Sequence, residues 1–507
     1  MRRFFAALCG VLFTASFAPF NLWFCALALV PLFALVARSE TPSRGFGVGF
    51  WFGLSFFAVH LFWLPNSLSN YFGPAAWLLY LVAPIVAAFW GLVALVARLL
   101  GGRGDGTLAL LPALWLLMEW ARTQGVFAFP WGSVGYLWTG TPVAQTADLG
   151  GVYGLSLLTL VMAALLAAPF VNEADRAYGS SPAIRPVYTP LIVTLLLGFS
   201  AWGYGLYRLG QGVTPPDQQA LLVQGNTDPL GRALGTSPDI EVYIDLTQNA
   251  VSTAVLRPEL VIWPEGAILR ESLEGMEGEA NRLRVAASAE GSDIVTGASV
   301  WVSDAGGFRG YNAVYSLSDA NVVDRYDKVY LVPFGEGIPF VRQLEGIYTT
   351  IYGWFGLGAF SRVPGEAGIV PLQLPDHLAA AYICYESVFP QVSRQMVLRG
   401  ADLLVNISND AWFGRGAGAE QHFQMGLMRA VETRRYLLRA GNDGVTAVAD
   451  PLGRVQARLP RFTANSLTAN FTYLSGQTPY VRFGDWAVWL AGLYAFFAGV
   501  VVFSRRA

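Results

Sequence analysis

The sequence predicts a chain of two parts: a multi-span α-helical membrane domain of about eight helices and an extracytoplasmic α/β domain. Hydrophobic residues make up 54% of the 507 positions and charged residues 13%, well under the roughly 25% charge of an ordinary soluble domain. The apolar excess lies in long runs, most of them near the ~20 residues that cross a bilayer. Beyond about residue 218 these runs give way to short β-rich segments, each ending in polar or glycine-rich sequence.

The apolar runs fall at about 4–20, 22–37, 46–65, 75–97, 107–120, 151–170 and 190–206, with one more at 486–503. This predicts seven spans within residues 1–210, a domain over 211–485, and an eighth span with a short tail over 486–507. The run at 107–120 is short, and the break near Pro19 could make one bent hairpin of the first two, so the count carries an error of about one. Cytoplasmic loops retain basic residues. Arg2 and Arg3 precede the first run, Arg38 and Arg44 follow the second, and Arg98 and Arg103 follow the fourth. Arg176 and Arg185 follow the sixth, and Arg505 and Arg506 end the chain. The opposite side receives S-N-Y-F-G-P after the third run and Arg122 alone after the fifth. Both termini are therefore expected in the cytoplasm, with residues 211–485 outside the plasma membrane. M-R-R before an apolar run is also how a cleaved signal peptide begins, but further spans follow at once and the arginine parity needs the first one intact.

A formal net charge of −2 gives no reason to expect a nucleic-acid partner. Cys9 and Cys25 lie in predicted spans and Cys384 is alone in the outer region. That excludes a disulfide within this region, and no cysteine cluster suggests a metal; no cofactor is expected. A free thiol facing an oxidising compartment calls for a functional reason.

In the outer region Q-A-L-L-V-Q-G-N, P-E-L-V-I-W-P-E-G, S-D-I-V-T-G-A-S-V, L-A-A-A-Y-I-C-Y-E-S and A-D-L-L-V-N-I-S-N-D read as strands with polar tips. Residues 279–290 have helical spacing. Strand, tip and helix in repetition give an α/β domain with reactive residues at the strand ends. Two aromatic and glycine-rich segments, 352–360 and 410–414, either dip into the lipid headgroups or pack their rings on the domain.

Four residues could carry chemistry. Lys328 is the only lysine among 33 basic residues, and a compact ammonium fits contacts that a planar guanidinium does not. Glu265 ends an apolar run after Pro264, which would stop the strand and fix the approach of the acid. Cys384 follows another apolar strand at the expected start of a helix, where N–H groups would favour thiolate. His60 lies in a span, and of His377 and His422 in the outer region, His422, in G-A-E-Q-H-F-Q, is the one serious candidate for a Cys-His pair. A glutamate in an apolar pocket can serve as base instead.

W-P-E (263–265), K-V-Y-L-V-P-F-G-E (328–336), C-Y-E (384–386) and N-I-S-N-D-A-W-F-G (406–414) together closely resemble the nitrilase superfamily. With the apolar spans, and with E-W-A-R (119–122), F-P-W-G-S-V-G-Y (129–136), Q-H-F-Q-M (421–425) and R-A-V-E-T-R-R (429–435), the chain is similar to the bacterial apolipoprotein N-acyltransferase family over nearly its whole length. The resemblance implies an αββα sandwich and a triad of Glu265 as general base, Lys328 as electrostatic stabiliser and Cys384 as nucleophile. It further implies that Glu336 and Glu386 orient the lysine or incoming groups, that Tyr385 lies at the oxyanion side, and that Trp412 lies near the pocket mouth. The implied reaction moves an acyl chain from a membrane phospholipid, through a Cys384 thioester, to the α-amino group of an S-diacylglyceryl cysteine on an apolipoprotein. The implied enzyme lies in the inner membrane, no cofactor or metal is expected, and the sequence leaves the oligomeric state open, with a monomer the first expectation. The loops at 336–362 and 410–420 are candidates for a mobile cover. Two other readings use the same residues: a membrane-anchored carbon–nitrogen hydrolase of a small substrate, for which seven preceding spans are superfluous, and a non-catalytic transporter or scaffold. Charge within the spans is scarce, with Glu119 and Arg122 near one end, which disfavours an ion relay.

Overall fold

The computed structural model describes residues 1–176, 188–228, 231, 240–269, 272–304, 307–341, 343–354 and 361–504. Arg185, Arg505 and Arg506 of the orientation argument, and 355–360 of the first aromatic segment, lie outside the described residues.

Every apolar run is helical. The first eight helices are α1 (Arg2–Thr14), α2 (Leu29–Ala37), α3 (Pro42–His60), α4 (Trp63–Phe72), α5 (Val82–Gly101), α6 (Asp105–Ala121), α7 (Ala147–Arg176) and α8 (Tyr188–Gly210). Among the described residues four stretches are long and apolar enough to cross a membrane: Pro42–Ser69, Ala76–Gly101, Pro142–Val171 and Tyr188–Gly210. Trp23–Ala37 and Trp486–Val502 are shorter apolar helices.

Local chemistry sets the boundaries. Thr41 caps α3 by accepting from the Arg44 N–H, and Pro42 takes the first position, where its missing donor costs nothing. S-N-Y-F-G-P, expected to be a loop, is instead largely the last turn of α4 and stops only at Gly73, whose φ is +62°. α7 breaks at Gly151 (φ +64°), where a Cβ would come within 2.5 Å of the Tyr480 ring.

The remaining residues build two six-stranded sheets. The first contains β1 (Gln218–Gln224), β2 (Leu260–Ile262), β3 (Asp293–Asp304), β4 (Gly307–Ser318) and β5 (Asn321–Asp327), with the late strand β12 (Asn465–Phe471) on the outer edge of β1. The second contains β6 (Leu372–Gln373), β7 (Leu378–Ile383), β8 (Leu403–Ser408), β9 (Leu437–Gly441), β10 (Ala447–Ala449) and β11 (Val455–Arg458) in sequence order. Each sheet has three central parallel strands, β1–β2–β3 and β7–β8–β9, flanked by antiparallel neighbours.

Side chains of a strand alternate between faces, and the cores follow. Ala220, Leu222, Leu260, Ile262, Val295 and Val314 point between the sheets. Leu221, Val223, Val261, Ile294, Ala313 and Tyr315 point to the other face. That face is covered by α9 (Glu241–Thr253) and α10 (Gly275–Ser288) through Tyr243, Val251 and Val285. α10 covers 279–288 of the helical spacing expected at 279–290. α11 (Glu345–Trp354) comes next in the chain. α12 (Pro390–Leu398) and α13 (Gly418–Thr433) cover the second sheet with Val392, Met396, Met428 and Val431. The layers run helix, sheet, sheet, helix. α14 (Pro479–Phe483) and α15 (Trp486–Ser504) lead back to the apolar helices.

α13 joins the two parts of the molecule. Gln421 Oε1 accepts from the indoles of Trp63 (2.9 Å) and Trp131 (3.1 Å), while its Nε2 donates to His60 O (3.1 Å). Gln424 Oε1 accepts from the Ala18 N–H at 3.1 Å. One apolar core therefore continues from the inter-sheet space through α13 into the helices of the first 210 residues.

Candidate active site

The site lies where parallel strands end, the edge at which the side chains of open α/β sheets converge. β2 delivers Trp263, Pro264 and Glu265; β5 runs into Lys328; β7 runs into Cys384; β8 runs into Asn409. Both sheets contribute, so segments more than 140 residues apart meet.

Lys328 is fully enclosed, and its Nζ donates to Glu265 Oε1 (3.3 Å) and pairs with Glu336 Oε2 (2.7 Å). Asn312, on β4, spans the same carboxylates, donating from Nδ2 to Glu265 Oε1 (2.7 Å) and Glu336 Oε1 (2.8 Å). The other oxygen of Glu265 accepts from the Asn409 N–H at 2.8 Å, and Glu336 Oε2 accepts from the Val332 N–H at 3.0 Å. Glu265 thus takes one charge-assisted bond from an ammonium and two more from fixed amides, which set its position.

Burial works against the Lys328 charge, but the carboxylates of Glu265 and Glu336 outweigh it and hold the lysine well above its ordinary value. Burial likewise opposes the charge of Glu336, and Lys328 with Arg362 overcomes it, so that its carboxyl lies below the usual range.

Cys384 has φ of +50°, a left-handed conformation uncommon for a residue with a side chain, and it begins a 3-10 turn, Cys384–Val388. The expectation that a helix start favours thiolate here is corrected. α12 begins only at Pro390, and burial, then Glu265, pushes the thiol well above its usual value, with Lys328 opposing. Burial and Glu265 both favour the neutral thiol over the thiolate. Alkylation of Cys384, followed at the peptide level by mass spectrometry, is expected to keep rising with pH through pH 9. A plateau below about pH 8 would show a preformed thiolate instead.

The supporting residues divide. Glu336 contacts the lysine as expected. Glu386 does so only indirectly: its carboxylate accepts from Tyr326 Oη (2.7 Å) and the N–H groups of Val329 (2.8 Å), Tyr330 (3.2 Å) and Ile383 (2.9 Å). It ties the segment after Lys328 to the segment before Cys384, at a desolvation cost that raises its own proton affinity. The Tyr385 side chain points at the apolar helices, donating to Ala128 O (2.6 Å) and stacking on Trp131 (5.9 Å between centroids). Trp412 is 38% exposed in the 3-10 turn Asp410–Phe413 that follows Asn409.

His422 does not contact the thiol as a base would. Its ring is buried, with Nδ1 at 3.0 Å from Asp410 Oδ1 and Nε2 at 3.0 Å from the Cys384 carbonyl. The 410–420 segment, a candidate cover, is packed at several points. Phe413 packs edge-on against Trp63 (4.9 Å), Ser67 donates to Phe413 O, Arg461 donates to Gly414 O at 2.9 Å, and α13 begins at Gly418. Phe413 is held by α4, because an aromatic ring beside an apolar helix gains by burying itself there. Of the 336–362 loop, Phe340 is exposed and meets Phe127 at 6.0 Å.

Asn312 escaped the sequence reading, although one signal marked it. An asparagine in the run Y-N-A-V-Y (311–315) is out of place in a strand.

Together the fold and the site define a carbon–nitrogen hydrolase domain carried on a set of apolar helices. The carbon–nitrogen hydrolase family model matches residues 220–479, and that of the apolipoprotein N-acyltransferase N-terminal domain matches 9–165. Proteins named apolipoprotein N-acyltransferase are similar over almost all of the chain. That of Geobacter metallireducens is 32% identical over 99% of this chain and 95% of its own length, and that of Azotobacter vinelandii 35% over 98% and 94%. That of Nitrosomonas europaea is 34% identical over 98% and 97%. A solved Nesterenkonia amidase of the nitrilase superfamily aligns with 54% of this chain and 96% of its own length, at 18% identity and a TM-score of 0.39. The chain belongs to the apolipoprotein N-acyltransferase family.

Proposed function

We propose that the protein transfers an acyl chain from a membrane phospholipid to the α-amino group of the S-diacylglyceryl cysteine of an apolipoprotein, by way of a thioester on Cys384. Glu265 takes the thiol proton as sulfur attacks the ester carbonyl, and Lys328 stabilises the oxyanion. The lysophospholipid leaves with the proton that Glu265 returns. The amine then attacks the thioester, so the two substrates react in turn.

The observation that carries this reading is the seating of the nucleophile. Tyr385, next to Cys384, is bonded to Ala128 and stacked on Trp131, in the segment joining α6 to α7. A hydrolase of small soluble substrates gains nothing from that arrangement. An enzyme of lipids does, because each methylene brought into water costs ~0.8 kcal/mol, so a whole acyl chain costs on the order of 10 kcal/mol. Holding sulfur against the apolar helices lets the tail stay in apolar surroundings while the ester reaches the thiol.

The same reading assigns residues 1–210 to seven spans, 211–485 to the catalytic domain on the extracytoplasmic face of the inner membrane, and 486–507 to an eighth span with a cytoplasmic tail. The apolar character of α1 to α8 and α15 and the arginine parity support it. Its direct test is mass spectrometry of the intact protein supplied with phospholipid alone. An acyl group is expected on Cys384, discharged on adding a diacylated lipopeptide with a free amine. Full turnover with no adduct on the sulfur contradicts the covalent scheme.

A further inference from the structure

We infer that His422 is a positioning residue for Cys384, holding the nucleophile in its left-handed conformation through the main chain. The inference deepens the acyl-transfer reading and rests on it. A side-chain-bearing residue at φ +50° stores backbone strain, and it persists only where its surroundings fix it. A carbonyl oxygen can only accept, so the 3.0 Å contact between His422 Nε2 and Cys384 O puts a hydrogen on Nε2. That nitrogen is also 2.8 Å from Ser387 Oγ, in the same turn.

The far side of the imidazole is anchored as firmly. Asp410 Oδ1 lies 3.0 Å from Nδ1 and accepts from Ser408 Oγ at 2.6 Å, while Asp410 Oδ2 accepts from Arg439 Nη2 at 2.7 Å. Arg439 Nη2 is itself 3.1 Å from Nδ1, and its Nε donates to Val445 O at 3.1 Å. His422, Asp410, Ser408 and Arg439 are all buried, each at 0% exposure. Ser408 also reaches the Cys384 thiol. Strand ends β8 and β9 and helix α13 thus converge through one imidazole on the carbonyl of the nucleophile. Such an arrangement acts on the reaction geometry, because a displacement of about 1 Å at a reacting atom costs on the order of 100-fold.

The test compares His422→Gln, whose amide keeps a donor near the Nε2 position, with His422→Asn, which keeps only the shorter reach toward Asp410. Per folded, detergent-solubilised molecule, Asn is expected to slow acylation of Cys384 by phospholipid alone about 100-fold with the donor KM unchanged. Gln should stay within about fivefold of wild type. Iodoacetamide labelling of Cys384 needs no acyl chemistry and so separates the two readings. A thiol released from its slot should label about tenfold faster in the Asn variant and near the wild-type rate in the Gln variant. The inference is overturned if the Asn variant acylates at the wild-type rate, or if both variants lose acylation equally. Equal labelling of wild type and the Asn variant overturns it even if the wild type takes up no acyl group, the result that sinks the acyl-transfer reading.

Discussion

Cys384→Ser is expected to abolish acyl transfer, with turnover lower by at least about 10³-fold, while the protein still inserts and folds. The exchange keeps the size of the side chain, so the left-handed turn and its contacts survive. What changes is acidity. Burial and the neighbouring Glu265 already raise the proton affinity of the thiol, and a hydroxyl starts several units higher still. In the proposed mechanism Glu265, held by Lys328, Asn312 and Asn409, takes the proton of the attacking group, and an alcohol gives that proton up far less readily than a thiol. Turnover measured with phospholipid and diacylated lipopeptide checks this. Activity within tenfold of wild type would remove sulfur from the centre of the mechanism.

Lys328→Arg is expected to cost at least about 100-fold in turnover, comparable to losing a well-placed oxyanion donor. Charge is conserved, so the loss comes from shape. Nζ sits in a fully enclosed slot between Glu265 Oε1 and Glu336 Oε2, with Asn312 Nδ2 bridging the same two carboxylates. A guanidinium brings extra heavy atoms and a planar fork into that slot, and overpacking displaces the carboxylates it should hold. Folded, membrane-inserted protein is compared with wild type in the same turnover assay. Near-native activity would mean that the one lysine of the chain is an accident of codon usage.

Much of this protein was legible before folding. Apolar runs announce helices because burying a backbone in lipid leaves few alternatives. W-P-E and I-C-Y-E announce strand ends because a short apolar run that meets proline or a charged residue must stop. The single lysine announced itself by composition. Less legible were the residues that hold the others. Asn312 carries only a weak compositional signal, and nothing in C-Y-E announces that the Glu386 carboxylate accepts from three main-chain amides and Tyr326. His422 looked like a spare base and proved to touch a carbonyl.

The sequence by itself determined the division into apolar helices and an α/β region, the strand ends on which Glu265, Lys328 and Cys384 stand, and the kinds of group they offer. Only the tertiary structure decided that β2 and β5 of one sheet and β7 of the other bring those ends together, that α13 and Tyr385 join the site to the apolar helices, and that His422, lying against Asp410, meets the Cys384 carbonyl. The physical reason is one of range. Hydrophobic periodicity and turn chemistry act over a few residues and are written locally, whereas a bond between residues 47 positions apart exists only once a sheet has fixed its register, and one between residues 144 positions apart only once the two sheets have packed.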